Sequence, residues 1–140
     1  MRAYILGGLV AVGLVLAAST VRAHHSFAAE FDANKPIKLK GIVTKVEWTN
    51  PHVWFYVNVK DEKTGEVVNW GAEMGPPHGL QRRGWRRDTL KIGEEVTVEG
   101  AMAKNGSKRM NARTVTLTST GGRPGETLDA VSSGGANSAQ

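Results

Sequence analysis

Two runs of alternating side chains whose apolar faces coincide constrain this chain more than any other feature. From His52 to Lys60, the apolar Val53, Phe55, Val57 and Val59 alternate with His52, Trp54, Tyr56 and Asn58. A period of two belongs to a strand with one buried face. After Asp61-Glu62-Lys63-Thr64-Gly65-Glu66, which reads as a turn, a second run puts Val68, Trp70, Ala72 and Met74 in one phase and Asn69, Gly71 and Glu73 in the other. Pairing Lys60 with Val67 brings Val59 opposite Val68, Val57 opposite Trp70, Phe55 opposite Ala72 and Val53 opposite Met74. A slip of one residue would turn each of these to the wrong face, so the pattern specifies the register. On the outer face that register sets Asn58 by Asn69, Tyr56 by Gly71 and Trp54 by Glu73, with the bare glycine leaving room for an aromatic ring.

The remaining elements follow from the same period. Ile37 to Trp48 reads as the preceding strand, with Ile37 and Leu39 in one phase, Ile42, Val46 and Trp48 in the other, and a bulge or sharp coil expected at Gly41. Pro76-Pro77 stops the sheet, and Leu80, Arg83 and Trp85 suit a short helical turn between Gly79 and Trp85. A turn at Lys91-Ile92-Gly93-Glu94 opens a strand from Glu95 to Ala103, with Val96 and Val98 inward. Lys104-Asn105-Gly106-Ser107 then turns into a last strand, Asn111 to Leu117, with Val115 and Leu117 inward. The order is three strands, a short helix and two strands.

Beyond Leu117 the composition changes to glycine, serine and other polar residues, which bury too little apolar surface to offset the entropy of ordering them. Residues 119–140 therefore read as a disordered Gly/Ser-rich tail, and residues 24–118 as one domain without internal repeats.

At the other end, Arg2 precedes the apolar run Ile5–Ala18, which is followed by the polar stretch Ser19-Thr20-Val21-Arg22-Ala23. That is the three-part order of a cleavable signal peptide. The run is short of the ~20 residues that span a bilayer core, so stable membrane insertion after cleavage is not expected. Residues 1–23 are expected to be removed, with Val21 and Ala23 at the positions the peptidase reads and Ala17 with Ser19 as the second site. The mature chain is expected in the periplasm, or secreted. Removing Arg2 and Arg22 takes the basic residues from 18 to 16 against 13 acids, so the net charge falls from +5 to +3. With no cysteine in the sequence, disulfides, thiolate metal sites and thiol catalysis are excluded. Arg82, Arg83, Arg86 and Arg87 concentrate four charges in six residues and read as a solvated loop, with a small anion-binding patch as the alternative.

A coiled, glycine-bearing first strand and the "LKIGEEVTVEG" entry to the fourth resemble the OB-fold, a five-stranded Greek-key barrel, here with one short helix between strands 3 and 4. The stretches "AHHSFAAEFD" (23–32), "LKGIVTKVEWTNPHVWFYVNVKD" (39–61) and "NWGAEMG…GLQRRGWRRDTLKIGEEVTVEG" (69–100) also resemble an uncharacterised family of small exported Gram-negative proteins, with HHSF and NPH motifs. The resemblance implies export and an OB-like all-β barrel. It implies no activity and transfers no catalytic residues.

Function is therefore argued from the residues, beginning with the four histidines, His24, His25, His52 and His78. Cleavage after Ala23 makes His24 the first residue, whose α-amino nitrogen and ring Nδ1 can chelate one metal ion. Copper(II) favours tetragonal nitrogen sites of this kind and zinc is the second choice; His25, His52 or His78 would supply the next imidazole. The brace of copper oxygenases and carriers is similar in that one terminal residue alone. Without a metal, the histidines are a solvated terminus and loop residues, with Asn50-Pro51-His52 shaping the entry to a strand.

The rival reading is a ligand face. Trp54 and Tyr56 stand beside His52, Asn58, Asn69 and Glu73 on the surface that OB-folds use for oligonucleotides and oligosaccharides. Given export and a weak charge, a glycan, a small molecule or a periplasmic protein partner is expected rather than nucleic acid. Phe27 and Phe31 are candidates to cover these aromatics, which would carry His24 and His25 towards His52. The sequence has no Gly-x-Ser-x-Gly, His-Glu-x-x-His or phosphate loop. A non-catalytic binding module is the expectation, and copper-dependent redox chemistry ranks third.

Overall fold

Strand β1 (Phe31–Glu47) carries a neighbour on each edge and organises the rest of the chain. The structure is a computed structural model, and it describes residues 26–118 and 125–130. A short helix α1 (Ser26–Glu30) leads into β1; then follow β2 (Trp54–Lys60), β3 (Val67–Glu73), helix α2 (Pro77–Arg82), β4 (Glu95–Ala103), β5 (Arg109–Leu117) and β6 (Thr127–Asp129). The described residues form an all-β fold with two short helices. The strand order is β3-β2-β1-β4-β5-β6, and a further parallel pairing of β3 with β5 returns the hydrogen-bond ladder on itself.

The β2–β3 hairpin has the register specified by its pattern, from Lys60↔Val67 through Val57↔Trp70 to Trp54↔Glu73. The inward residues Val53, Phe55, Val57, Trp70, Ala72 and Met74 are all buried. They meet Val96, Val98, Met110 and Val115 from the opposite strands, and Leu80 and Trp85 from α2 and the loop that follows it. The continuous apolar interior supplies the main stabilisation, since removing a large buried side chain typically costs ~3–5 kcal/mol.

In β1 the change of phase lies three residues later than expected. The β1–β2 register slips between Val43 and Lys45, so Thr44 is the extra residue, and its Oγ1 donates to the Tyr56 carbonyl at 3.3 Å. Ile37, Leu39 and Val43 thus share a phase, and Val46 and Trp48 join the core after the slip. Ile42, expected inward, is 40% exposed. Gly41 serves a different purpose: a Cβ there would stand 2.6 Å from the Asn58 carbonyl oxygen. It permits backbone on backbone contact where β1 coils over β2.

Among the described residues six strands are present where five were expected, and part of the expected tail is ordered structure. Residues Thr127–Asp129 pair with β5 as Thr116↔Thr127, Val115↔Leu128 and Thr114↔Asp129. Leu128 and Ala130 are buried. The Trp85 indole Nε1–H donates to the Asp129 carbonyl at 2.8 Å, the Gly75 N–H donates to the Ala130 carbonyl at 3.0 Å, and Arg83 pairs with Asp129 at 3.2 Å. A buried tryptophan whose N–H requires an acceptor explains why so polar a segment is held. Residues 119–124 and 131–140 of the expected tail, and residues 1–23 of the expected signal peptide, lie outside the described residues.

Candidate functional site

The outer face of β2 and β3 is built by the residues that alternate away from the core. His52 lies two positions before Trp54, the first residue of β2, and Trp54 is in register with Glu73 at the end of β3. Their side chains meet: His52 Nδ1 lies 2.6 Å from Glu73 Oε1. The carboxylate thus engages Nδ1, and Nε2 is the ring nitrogen not bonded to it. Glu73 is buried, its side chain 9% exposed. Burial pushes its carboxyl above the usual range, the neighbouring His52 opposes that rise, the Glu30 carboxylate adds to it, and Arg109 opposes it again.

Helix α1 lies over this face. Phe31 is buried with Ala101 and Ala103, and Phe27 and Trp54 pack against that cluster. The Phe27 and Phe31 ring centroids are 5.9 Å apart. The Lys104 N–H donates to the Glu30 carbonyl at 2.8 Å, and Lys104 Nζ donates to the Ala28 carbonyl, fastening α1 to the turn after β4. The chain's own N-terminal segment therefore covers part of Trp54.

Beside that cover an open groove of about 320 Å³ remains, lined by Glu47, Trp54, Tyr56, Asn69 and Gly71 together with Lys108 and Arg109. The Arg109 guanidinium sits 4.6 Å from the Trp54 ring centroid, and Lys45 Nζ 5.5 Å from that of Tyr56. The Tyr56 hydroxyl donates to Glu47 Oε2 at 3.1 Å, and Lys45 also pairs with Glu47. Burial, then the bond to Glu47, raises the Tyr56 hydroxyl pKa above its ordinary value. Gly71 supplies the expected space, since a Cβ there would stand 3.3 Å from Tyr56 Cε1 and 3.6 Å from Trp54 Cζ3.

The expected site residues divide accordingly. Trp54, Tyr56 and Asn69 line the groove, whereas Glu73 turns to His52. The Asn69 amide donates to Asn58 Oδ1 at 2.9 Å and to Thr44 Oγ1 at 3.1 Å, which ties Asn58 to its neighbours. His78 stands exposed on α2. Among the described residues, no group of three or more His, Asp or Glu side chains is arranged to hold a metal ion. His24 and His25 lie outside the described residues.

Four participants were not found from the sequence. Glu30 enters through the packing of α1, and Glu47 through the bulge that sets it opposite Trp54. Lys108 and Arg109 arrive through the parallel pairing Gly71↔Arg109, between strands far apart in sequence, for which no local signal exists.

Comparison with protein families matches residues 11–112, well over half of the sequence, to a family described as "Family of unknown function (DUF6152)". The chain belongs to this family. DUF6152 thus spans β1 to β4 and the first residues of β5, including every residue of the His52–Glu73 pair and of the groove. Comparison with curated proteins gives no match. Among solved structures, the ZRD-deleted mutant of TiaS in complex with agmatine is similar over 71% of this chain and 27% of that one, at 21% identity and a TM-score of 0.45. This chain therefore corresponds to about a quarter of the length of that protein.

Proposed function

We propose that this DUF6152 protein is an exported, non-catalytic binding module of the Gram-negative periplasm, or a secreted one, that holds copper, and zinc less well, at the N-terminus of its mature chain. The observation that carries the reading is His52 bonded through Nδ1 to the buried carboxylate of Glu73. A carboxylate behind an imidazole fixes its tautomer and raises the basicity of the other nitrogen, as is usual for metal-bound histidines. The α-amino nitrogen and Nδ1 of His24, with Nε2 of His52, would form a three-nitrogen set suited to copper(II), with His25 or His78 as the further imidazole.

Reach supports the same reading. His24 precedes Ser26 by two residues, a span of at most about 7 Å, and α1 begins at Ser26 and packs through Phe27 against the Phe31 cluster, which Trp54, the register partner of Glu73, also meets. For the fold we infer a five-stranded OB-like Greek-key barrel from β1 to β5 with β6 appended, because the β3–β5 pairing returns the ladder on itself.

Mass spectrometry of the mature protein purified from the periplasm, with and without added copper, tests the reading. One copper per chain on a protein starting at His24, lost in His52→Ala, is expected. A chain starting at His24 that takes up no copper, or a His52→Ala variant that binds it equally, would overturn the proposal.

The second reading, ligand binding by the aromatic face, is supported by the groove beside Trp54 and Tyr56. Its occupant would be a glycan, a small molecule or a periplasmic protein, and the groove does not involve the histidines.

A further inference from the structure

The groove differs in one respect from the aromatic face with Glu73 expected from the sequence. Trp54 packs against the cluster of Phe31, Ala101 and Ala103 and carries the Arg109 guanidinium over its ring, so it is partly covered. Charge is the stronger feature. Lys108, just before β5, and Arg109, its first residue, both line the groove and are exposed; Lys108 Nζ lies 5.2 Å from the Trp70 ring centroid, and neither makes an ion pair with a described residue. Across from them, Glu47 accepts from Tyr56 and Lys45. Asn69 closes the groove with an amide whose nitrogen is committed to Asn58 and Thr44.

We propose that this groove binds one sugar acid, a pyranose carrying a carboxylate, with the carboxylate on Arg109 and Lys108, the ring hydroxyls on Glu47 and Asn69, and the C–H surface against Trp54 and Tyr56. The inference deepens the aromatic-face reading and is independent of copper. Each part of the lining has a chemical counterpart in that ligand. Two adjacent cations that make no ion pair with a described residue suit a carboxylate, and the guanidinium can take it through two parallel N–H donors. Glu47 and the Asn69 amide oxygen accept from hydroxyls, which a sugar ring carries on successive carbons. Aromatic edges suit the apolar side of a sugar ring. The volume, about 320 Å³, is at the small end of ligand sites and suits a single ring.

The test is titration calorimetry on the full mature chain, stripped of metal with EDTA, using glucuronate, galacturonate, glucose and glucose 6-phosphate as probes. At least one uronate is expected to bind about tenfold or more tightly than glucose, the scale of a charge-assisted contact, and to weaken as salt is raised. Lys108→Gln and Arg109→Gln should each lower uronate affinity several-fold. Because Arg109 also stacks on Trp54 and Lys108 Nζ lies 5.2 Å from the Trp70 ring centroid, near-ultraviolet circular dichroism checks the fold of both variants. A chain extended by one residue ahead of His24 should leave uronate binding unchanged while losing most copper uptake, which separates failure here from failure of the metal site. Equal binding of glucose and the uronates, tighter binding of the phosphate ester, or no binding by the folded protein would each overturn the proposal. So would full affinity in Lys108→Gln together with a folded Arg109→Gln.

Discussion

His52 and Glu73 form a hydrogen-bonded pair, Nδ1 to Oε1 at 2.6 Å, in which the carboxylate is the more deeply buried partner. Burial is the largest influence on Glu73 and raises its pKa, so folding favours the protonated form. A raised carboxylate pKa contributes stability that is complete below the unfolded value and is lost as pH rises through the folded one. Glu73→Gln, which mimics the neutral acid, should escape that loss. The melting temperature of the parent minus that of Glu73→Gln is therefore expected to fall as pH rises from about 4.5, measured by calorimetry over a pH series. A difference that grows with pH would show that the pair stabilises the charged carboxylate.

Copper should raise the melting temperature of correctly processed protein by mass action on the folded state. The rise should vanish in His52→Ala, and it should shrink in acid, where the α-amino and imidazole donors are protonated. A chain extended by one residue ahead of His24 should lose most of it, because the amine is displaced. Melting curves at several copper concentrations provide the check.

Removal of β6 should be costly for so short a strand. A chain ending at residue 124 loses buried Leu128 and Ala130 and leaves the Trp85 N–H without its acceptor. The single change Leu128→Ala should cost about 2–3 kcal/mol, and the truncation should cost more, with both read from urea unfolding. Equal stability of the truncated chain would mean that β6 contributes nothing.

Gly41→Ala and Gly71→Ala should separate two uses of glycine. The first sets a methyl 2.6 Å from a backbone oxygen of β2, which must move; the second sets one 3.3 Å from an aromatic carbon that a small ring tilt can relieve. About 1–3 kcal/mol is expected for Gly41→Ala and less for Gly71→Ala, which should instead disturb near-ultraviolet signals of Trp54 and Tyr56.

The hairpin was legible residue by residue because its two apolar faces permit one register only. Strand β4 was legible to its ends for the same reason. The error in β1 has a definite cause: Gly41 attracted the phase change that belongs to Thr44, since a bulge needs no glycine when a neighbouring hydroxyl can donate to the partner strand. Strand β6 was hidden because its evidence is the unmet N–H of Trp85, more than forty residues away. The site was half legible. Trp54, Tyr56 and Gly71 could be placed from the register, whereas Arg109 depends on a pairing between strands that no window along the chain can contain.

That pairing determines when the site comes into being. Gly71 and Arg109 become neighbours only after β4 and β5 have been laid down, so the groove belongs to the closing stage of folding, when contacts between distant segments are made. In the unfolded chain His52, Glu73 and the two cations are strangers. Whatever this surface binds, it meets only as a finished fold.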